Sequence, residues 1–153
     1  MGVSIKDIDG LKGLITEEWT DWSEPVDITQ DMINTFADVT HDHQWIHVDM
    51  EKANAGPFGG PIAHGFLTLS LVSHLSSMIG PRIEGVMGGL NYGADKLRFL
   101  SPVPANSQVH ARSRVVDVTE KSTGILMKQE VVIHEVGNDS PALVYESLVL
   151  LLG

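Results

Sequence analysis

Residues 66–79, FLTLSLVSHLSSMI, decide how the chain folds. Phe66, Leu67, Leu69, Leu71, Val72, Leu75, Met78 and Ile79 reach nearly every face of a helix with 3.6 residues per turn. A helix that is apolar all round is expected to be buried all round. Its polar members, Thr68, Ser70, Ser73, His74, Ser76 and Ser77, then need buried partners or a cavity. Gly80-Pro81 supplies the helix stop. A membrane span takes about 20 apolar residues, so this stretch is too short for one, and His74 interrupts it.

Upstream, residues 29–39 read as an amphipathic helix, with Thr29 as N-cap, Asp31 in the first turn, and Met32, Ile33, Phe36 and Ala37 on one face. The polar run HDHQW breaks that pattern, and residues 40–48 read as a loop. A short helix near residues 50–55 leads into the turn-rich GPFGGP of residues 56–61. Downstream of Pro81 the character changes: residues 86–100, 109–118, 125–136 and 143–152 are rich in Val, Ile, Leu and Tyr, with hairpin-length breaks. Ile125, Met127, Val131 and Ile133 alternate with Lys128, Glu130 and His134, as in a half-buried antiparallel strand. Residues 13–22 read as a further strand ahead of the helices. Helices segregated from a run of strands argue an α+β fold. An antiparallel sheet wrapped around a long central helix is the hot-dog arrangement.

The 153 residues suit one domain, residues 1–153, and at 42% hydrophobic they can bury a core. Ten Lys and Arg against 20 Asp and Glu give a net charge of −10, which disfavours nucleic acid as a partner. Cysteine is absent, which removes disulfides, thiolate nucleophiles and Cys-based zinc sites. Residues 1–10 lack the apolar core of a secretory leader, and no run reaches 18 apolar residues. A cytoplasmic protein with no membrane contact is the expectation.

Chemistry concentrates in two places. His41, His43 and His47 cluster with Asp42 and Asp49, and imidazole beside carboxylate suits proton transfer near neutral pH. Four readings stand: a polar surface loop, a metal site built from His41, His43, His47 and Asp42, an Asp–His acid–base pair, or part of a Ser-His-Asp hydrolase. The G-x-S-x-G elbow of many such hydrolases does not occur. His64-Gly65 opens the apolar helix, where free N–H groups can hold an oxyanion and a glycine also permits close helix–sheet packing. Neither G-x-G-x-x-G nor a P-loop motif is present.

The stretch from Phe36 to Leu71, FADVTHDHQWIHVDMEKANAGPFGGPIAHGFLTLSL, resembles the MaoC-like dehydratases, the (R)-specific enoyl-CoA hydratases. Asp42, Ile46 and His47 match the Asp, aliphatic and His positions of the hydratase motif. HQWIHVD at residues 43–49 and NYGADKLRFLSPV at residues 91–103 resemble the subfamily that includes nodulation protein N. The resemblance implies a hot-dog fold and a homodimer or higher homo-oligomer. It also implies reversible hydration of a trans-2-enoyl-CoA to a (3R)-3-hydroxyacyl-CoA. By position, Asp42 and His47 are the catalytic pair, Gly65 supplies the oxyanion-binding N–H, and Ser73 orients the aspartate. His64, Arg82, Lys96 and Arg98 are the expected substrate-binding residues. No metal and no cofactor are expected, with the CoA thioester entering as substrate. A catalytically silent acyl-thioester-binding protein and an acyl-CoA thioesterase are the alternatives. One departure stands out: the family usually carries Gly where this chain has His41, which matters if that position needs positive φ.

Overall fold

The structure, a computed structural model, describes residues 2–153. The elements run β1 (Val3–Ser4), α1 (Ile8–Lys12), β2 (Val26–Ile28), α2 (Gln30–Thr40), α3 (Trp45–Val48), α4 (Met50–Asn54), α5 (Gly65–Ser70), α6 (Val72–Ile79), β3 (Ile83–Glu84), β4 (Gly88–Phe99), β5 (Ser107–Lys121), β6 (Gly124–Glu135) and β7 (Pro141–Leu152). The last four strands form an antiparallel sheet with β2, in the order β2-β5-β6-β7-β4. β1 and β3 make a separate parallel pair.

Alternation along the strands builds the core. Val109, Ala111, Val131 and Ile133 on one face of β5 and β6 meet Leu67, Val72 and Leu75 of the helices, with Ile28, Ile33 and Leu143 closing the cluster. A second cluster of Ile5, Leu11, Val115, Val118, Ile125 and Met127 packs the N-terminal unit against the far end of the sheet. The predicted cap at Thr29 is present, its hydroxyl accepting the Met32 N–H at 3.1 Å.

Four expectations change. The central helix is a rod in two pieces, α5 and α6, joined at Leu71, which stays right-handed at φ −77 and ψ −10. It is not buried all round: Phe66 is 64% and Met78 39% exposed, because the five strands curl round one side only. Residues 40–48 are not wholly loop, since α3 forms a turn within them.

Residues 13–22 are not a strand. They run beside β5 with one bridge, Ile15 to Val115, and scattered bonds from Thr16 and Thr20. The segment instead lays its tryptophans on the sheet's outer face. Trp22 stacks on His110 with ring centroids 3.9 Å apart, and Trp19 lies 4.8 Å from the Arg114 guanidinium. His134 points outward with Lys128 and Glu130, yet it is buried, because Trp22 packs against it edge-on at 4.9 Å.

β4 is paired on one side only, by β7, and exposes Leu90 and Tyr92 at 53% and 60%. No helix among the described residues is long and apolar enough to cross a membrane.

Leu75 is fully buried and Met78 is not. Leu75→Ala is expected to lower the unfolding free energy in urea by about 2–5 kcal/mol. Met78→Ala should change it by about 0.5 kcal/mol or less.

Candidate active site

Two short segments, residues 41–48 and 61–65, are folded against each other. α2 ends at His41, which adopts φ 58 and ψ 23. The position therefore does need the left-handed region that favours glycine, and histidine occupies it at a cost of roughly 1–2 kcal/mol. His41 is exposed and takes no part in the cluster that follows. Residues 61–63 are held between α3 and the β4–β5 connection: Ile62 N–H donates to Ile46 O at 3.0 Å, Ala63 N–H to Val103 O at 2.8 Å, and Ala105 N–H to Pro61 O at 2.9 Å.

That anchoring fixes two histidines. His47 Nδ1 lies 2.7 Å from the Ile62 carbonyl, and His64 Nε2 lies 2.9 Å from the Asp42 carbonyl. A carbonyl only accepts, so each of these nitrogens carries the hydrogen. Neutral His47 is thus left with a free lone pair on Nε2, and neutral His64 with one on Nδ1. The rings stack with centroids 3.8 Å apart at 23°. Polar atoms of Asp42, His47 and His64 all lie within 4.8 Å of one another. Gln30 Nε2 donates to the His47 carbonyl at 2.8 Å and braces α3 from α2.

Burial pushes the His47 pKa below its ordinary 6.5, opposed by the bond to Ile62 O; a charge on His64 lowers it further and the Asp42 carboxylate raises it. His47 is therefore poised as a neutral base near pH 7.

The stacked rings disfavour His47 and His64 as ligands of one ion. An ion sits in the plane of each imidazole at about 2.0–2.1 Å, and rings stacked 3.8 Å apart at 23° hold their nitrogens in two separate, nearly parallel planes. The metal set read from the sequence is also dispersed, with His43 bound to Asp38 at 2.8 Å and His41 exposed.

A cavity of about 290 Å³ opens beside the pair, lined by His47, Gly65, Thr68, Phe58, Phe99 and Leu100 among others. Gly65 begins α5, and its N–H has no acceptor among the described residues. A Cβ at Gly65 would stand 2.9 Å from the Phe99 ring, so the glycine serves close packing as well as a free donor. Thr68, 3% exposed, lines the same cavity; the sequence marked it as needing a buried partner or a cavity but assigned it no place in the site. Its signal was its position one turn beyond Gly65, on the same helix face.

The structure thus brings Asp42, His47 and His64 together, sets Gly65 with His47 on one cavity, and leaves the other expected site residues apart. Ser73 is exposed and lines a different cavity, with Asn91, Gln129 and Tyr145. It lies eight residues beyond Gly65, about 12 Å along a helix. Arg82 stands beside the β1–β3 pair, and the β4 end near it is opposite the Phe99 end. Lys96 lines an outer-face cavity with Trp19 and Arg114. Arg98 is exposed next to Phe99, its Nη1 donating to Leu97 O at 2.7 Å. His64 is only 3% exposed, and neither it nor Asp42 is among the residues that line the cavity.

Comparison with known proteins points to one family. A family model described as "MaoC like domain" matches residues 15–136. The chain is 47% identical over 131 residues to 3-hydroxyacyl-thioester dehydratase Z of Mycobacterium tuberculosis, covering 85% of this chain and 84% of that one. It is 45% identical over 145 residues to nodulation protein N of Rhizobium meliloti, covering 92% and 86%. Among solved structures, the (R)-hydratase from A. caviae involved in PHA biosynthesis superposes with a TM-score of 0.70 at 24% identity, covering 89% of this chain and 98% of that one. At that identity the likeness is one of fold.

His47 is expected to titrate below 6.5 in a proton NMR titration of the imidazoles, because its folded pKa is depressed. Its contribution to stability is then complete above pH 6.5 and is lost as pH falls from 6.5 through the folded value. His47→Gln should remove that part of the acid-side decline in Tm.

Proposed function

The chain belongs to the MaoC-like dehydratase family, and from that premise we propose that it reversibly hydrates a trans-2-enoyl-CoA to a (3R)-3-hydroxyacyl-CoA. The observation that carries this reading is a neutral imidazole, His47, with a free nitrogen lining one largely apolar cavity together with Gly65 and its unpaired N–H, with the Asp42 carboxylate within 4.8 Å of the imidazole. Two hydrogen bonds of about 2.8 Å each span up to roughly 5.6 Å. Groups within 4.8 Å of each other can therefore share one water.

In the forward step Asp42 accepts one O–H of that water and orients it. His47 Nε2 takes the other proton as the oxygen bonds to C3. Electron density from the C2=C3 double bond moves onto the thioester oxygen, where the Gly65 N–H stabilises it. The proton on His47 then returns to C2, so one water adds across one double bond and the enzyme regains its starting state. Dehydration is the reverse. The apolar wall of Phe58, Phe99 and Leu100 keeps bulk water from the acyl chain and strengthens each of these polar contacts.

The second part of the proposal concerns assembly. β4 offers a free row of backbone donors and acceptors, flanked by exposed Leu90 and Tyr92. Such an edge is completed by pairing with another chain, and a homodimer joined along β4 meets that need. Arg98, at the exposed end of the same strand beside the cavity wall, is the cation best sited for the CoA phosphates. Lys96 and Arg82 are farther from the cavity and carry no such role in this reading.

Crotonyl-CoA hydration, followed by loss of the enoyl absorbance, tests the chemistry. Asp42→Asn and His47→Ala should each lower kcat by about 10²–10⁴-fold. Equal rates in all three proteins would overturn the proposal, as would release of free CoA in place of hydroxyacyl-CoA. Light scattering tests the assembly: the native chain should run as a dimer, and Leu90→Asp combined with Tyr92→Asp should run as a monomer.

A further inference from the structure

The geometry points to His64 as the positioning residue of this site: its Nε2–H holds the Asp42 carbonyl while its ring face holds the His47 ring. The inference rests on the hydration reading for what the site does, but its structural part can be measured without turnover.

Three observations converge on it. First, His64 is buried to 3% exposure, with its Nε2 on the Asp42 carbonyl and its ring face on His47, which leaves no free face for a substrate. Second, its Nδ1 is buried with no partner. Burying an unsatisfied polar atom is unfavourable, and a leucine or phenylalanine would fill the space without that cost. What an apolar residue lacks is the donor on Nε2, and that donor meets the Asp42 main chain at 2.9 Å. Third, little else restrains Asp42. The residue before it sits in the left-handed region, and its own carboxylate only accepts the Gln44 N–H at a long 3.4 Å.

The result is a continuous brace. The Asp42 main chain is tied to the His64 ring, the His64 ring stacks on the His47 ring at 3.8 Å, and the His47 ring is tied to Ile62 O. Phe36 of α2 backs His64 with ring centroids 5.0 Å apart. The charged or titratable groups facing His64 are Asp42 from the loop and His47 from α3. A charge on His64 lowers the His47 pKa, an effect that an uncharged replacement at residue 64 removes.

Two substitutions separate the parts of this role. His64→Gln supplies an amide N–H in place of the Nε2 donor but removes the stack. His64→Phe keeps an aromatic face and removes the donor. For turnover of crotonyl-CoA, His64→Phe is expected to lower kcat by about 10- to 100-fold with KM within about threefold. His64→Gln should recover most of that kcat. In His64→Gln the His47 imidazole should also titrate at higher pH by NMR, and the acid limb of the kcat profile should move with it. If the Phe variant does not fold, the Gln variant alone decides through its kcat and its His47 titration.

Wild-type kcat in a folded Phe variant would overturn the inference, and so would an unmoved His47 titration in the Gln variant. If the native protein turns over no crotonyl-CoA, the hydration reading fails. The NMR titration of His47, and the amide exchange of residues 41–44, then test the brace alone. Faster exchange in the Phe variant than in the Gln variant supports the brace, and equal exchange refutes it.

Discussion

Everything in the candidate site depends on two hydrogen bonds that run in opposite directions between the same two segments. His47 reaches from α3 to a carbonyl ahead of α5, and His64 reaches from the start of α5 back to a carbonyl ahead of α3. Each bond fixes a tautomer and a ring plane, and together they act as a reciprocal clasp. Neither segment could hold its histidine alone. α3 is four residues long, too short to be stable by itself, and α5 lacks a side-chain cap at its N-terminus. The clasp supplies the rigidity that propensity does not.

The rest of the fold brings this clasp to an apolar cavity. Residues 61–63 reach the β4–β5 connection through backbone bonds at Val103 and Pro61, which couples the clasp to the sheet. The helical rod then carries Gly65 and Thr68 past Phe99 at a separation only glycine permits. The unpaired N–H at the start of the rod therefore opens on a cavity with a largely apolar lining, where a charge is screened less than in bulk water.

Much of this was legible in the sequence, for definite reasons. Strands with period-two alternation, such as residues 125–133, announced their buried face because one side of the sheet meets the core. The closeness of Asp42 and His47 was legible through their spacing in one short loop. Other features were not. Ser73 matched by counting along the chain, but counting ignores which face of the helix a residue occupies, and Ser73 faces away from the cavity. The strand expected at residues 13–22 failed because Trp19 and Trp22 gain more by lying flat on Arg112, Arg114 and His110 than by joining a ladder. His64 looked like a ligand contact because its burial depends on tertiary packing, which a local pattern does not encode. The break at Leu71 likewise has no glycine or proline to announce it.

The two borders of the sheet are unlike each other. On the β5 side, β2 covers the first three residue pairs, and Ser23, Thr20 and Thr16 then take the carbonyls of Ala111, Ser113 and Val115 at 2.8–3.0 Å. That border is blunted by the chain's own irregular segment, while β4 on the other side is open. A molecule with one sticky border and one blunt border has a valence of one. Joining two copies along β4 consumes both sticky borders at once and leaves only blunt ones outside. Under the proposed pairing, growth would terminate at a pair instead of propagating into a ribbon, and the segment that failed to become a strand would be what ends it.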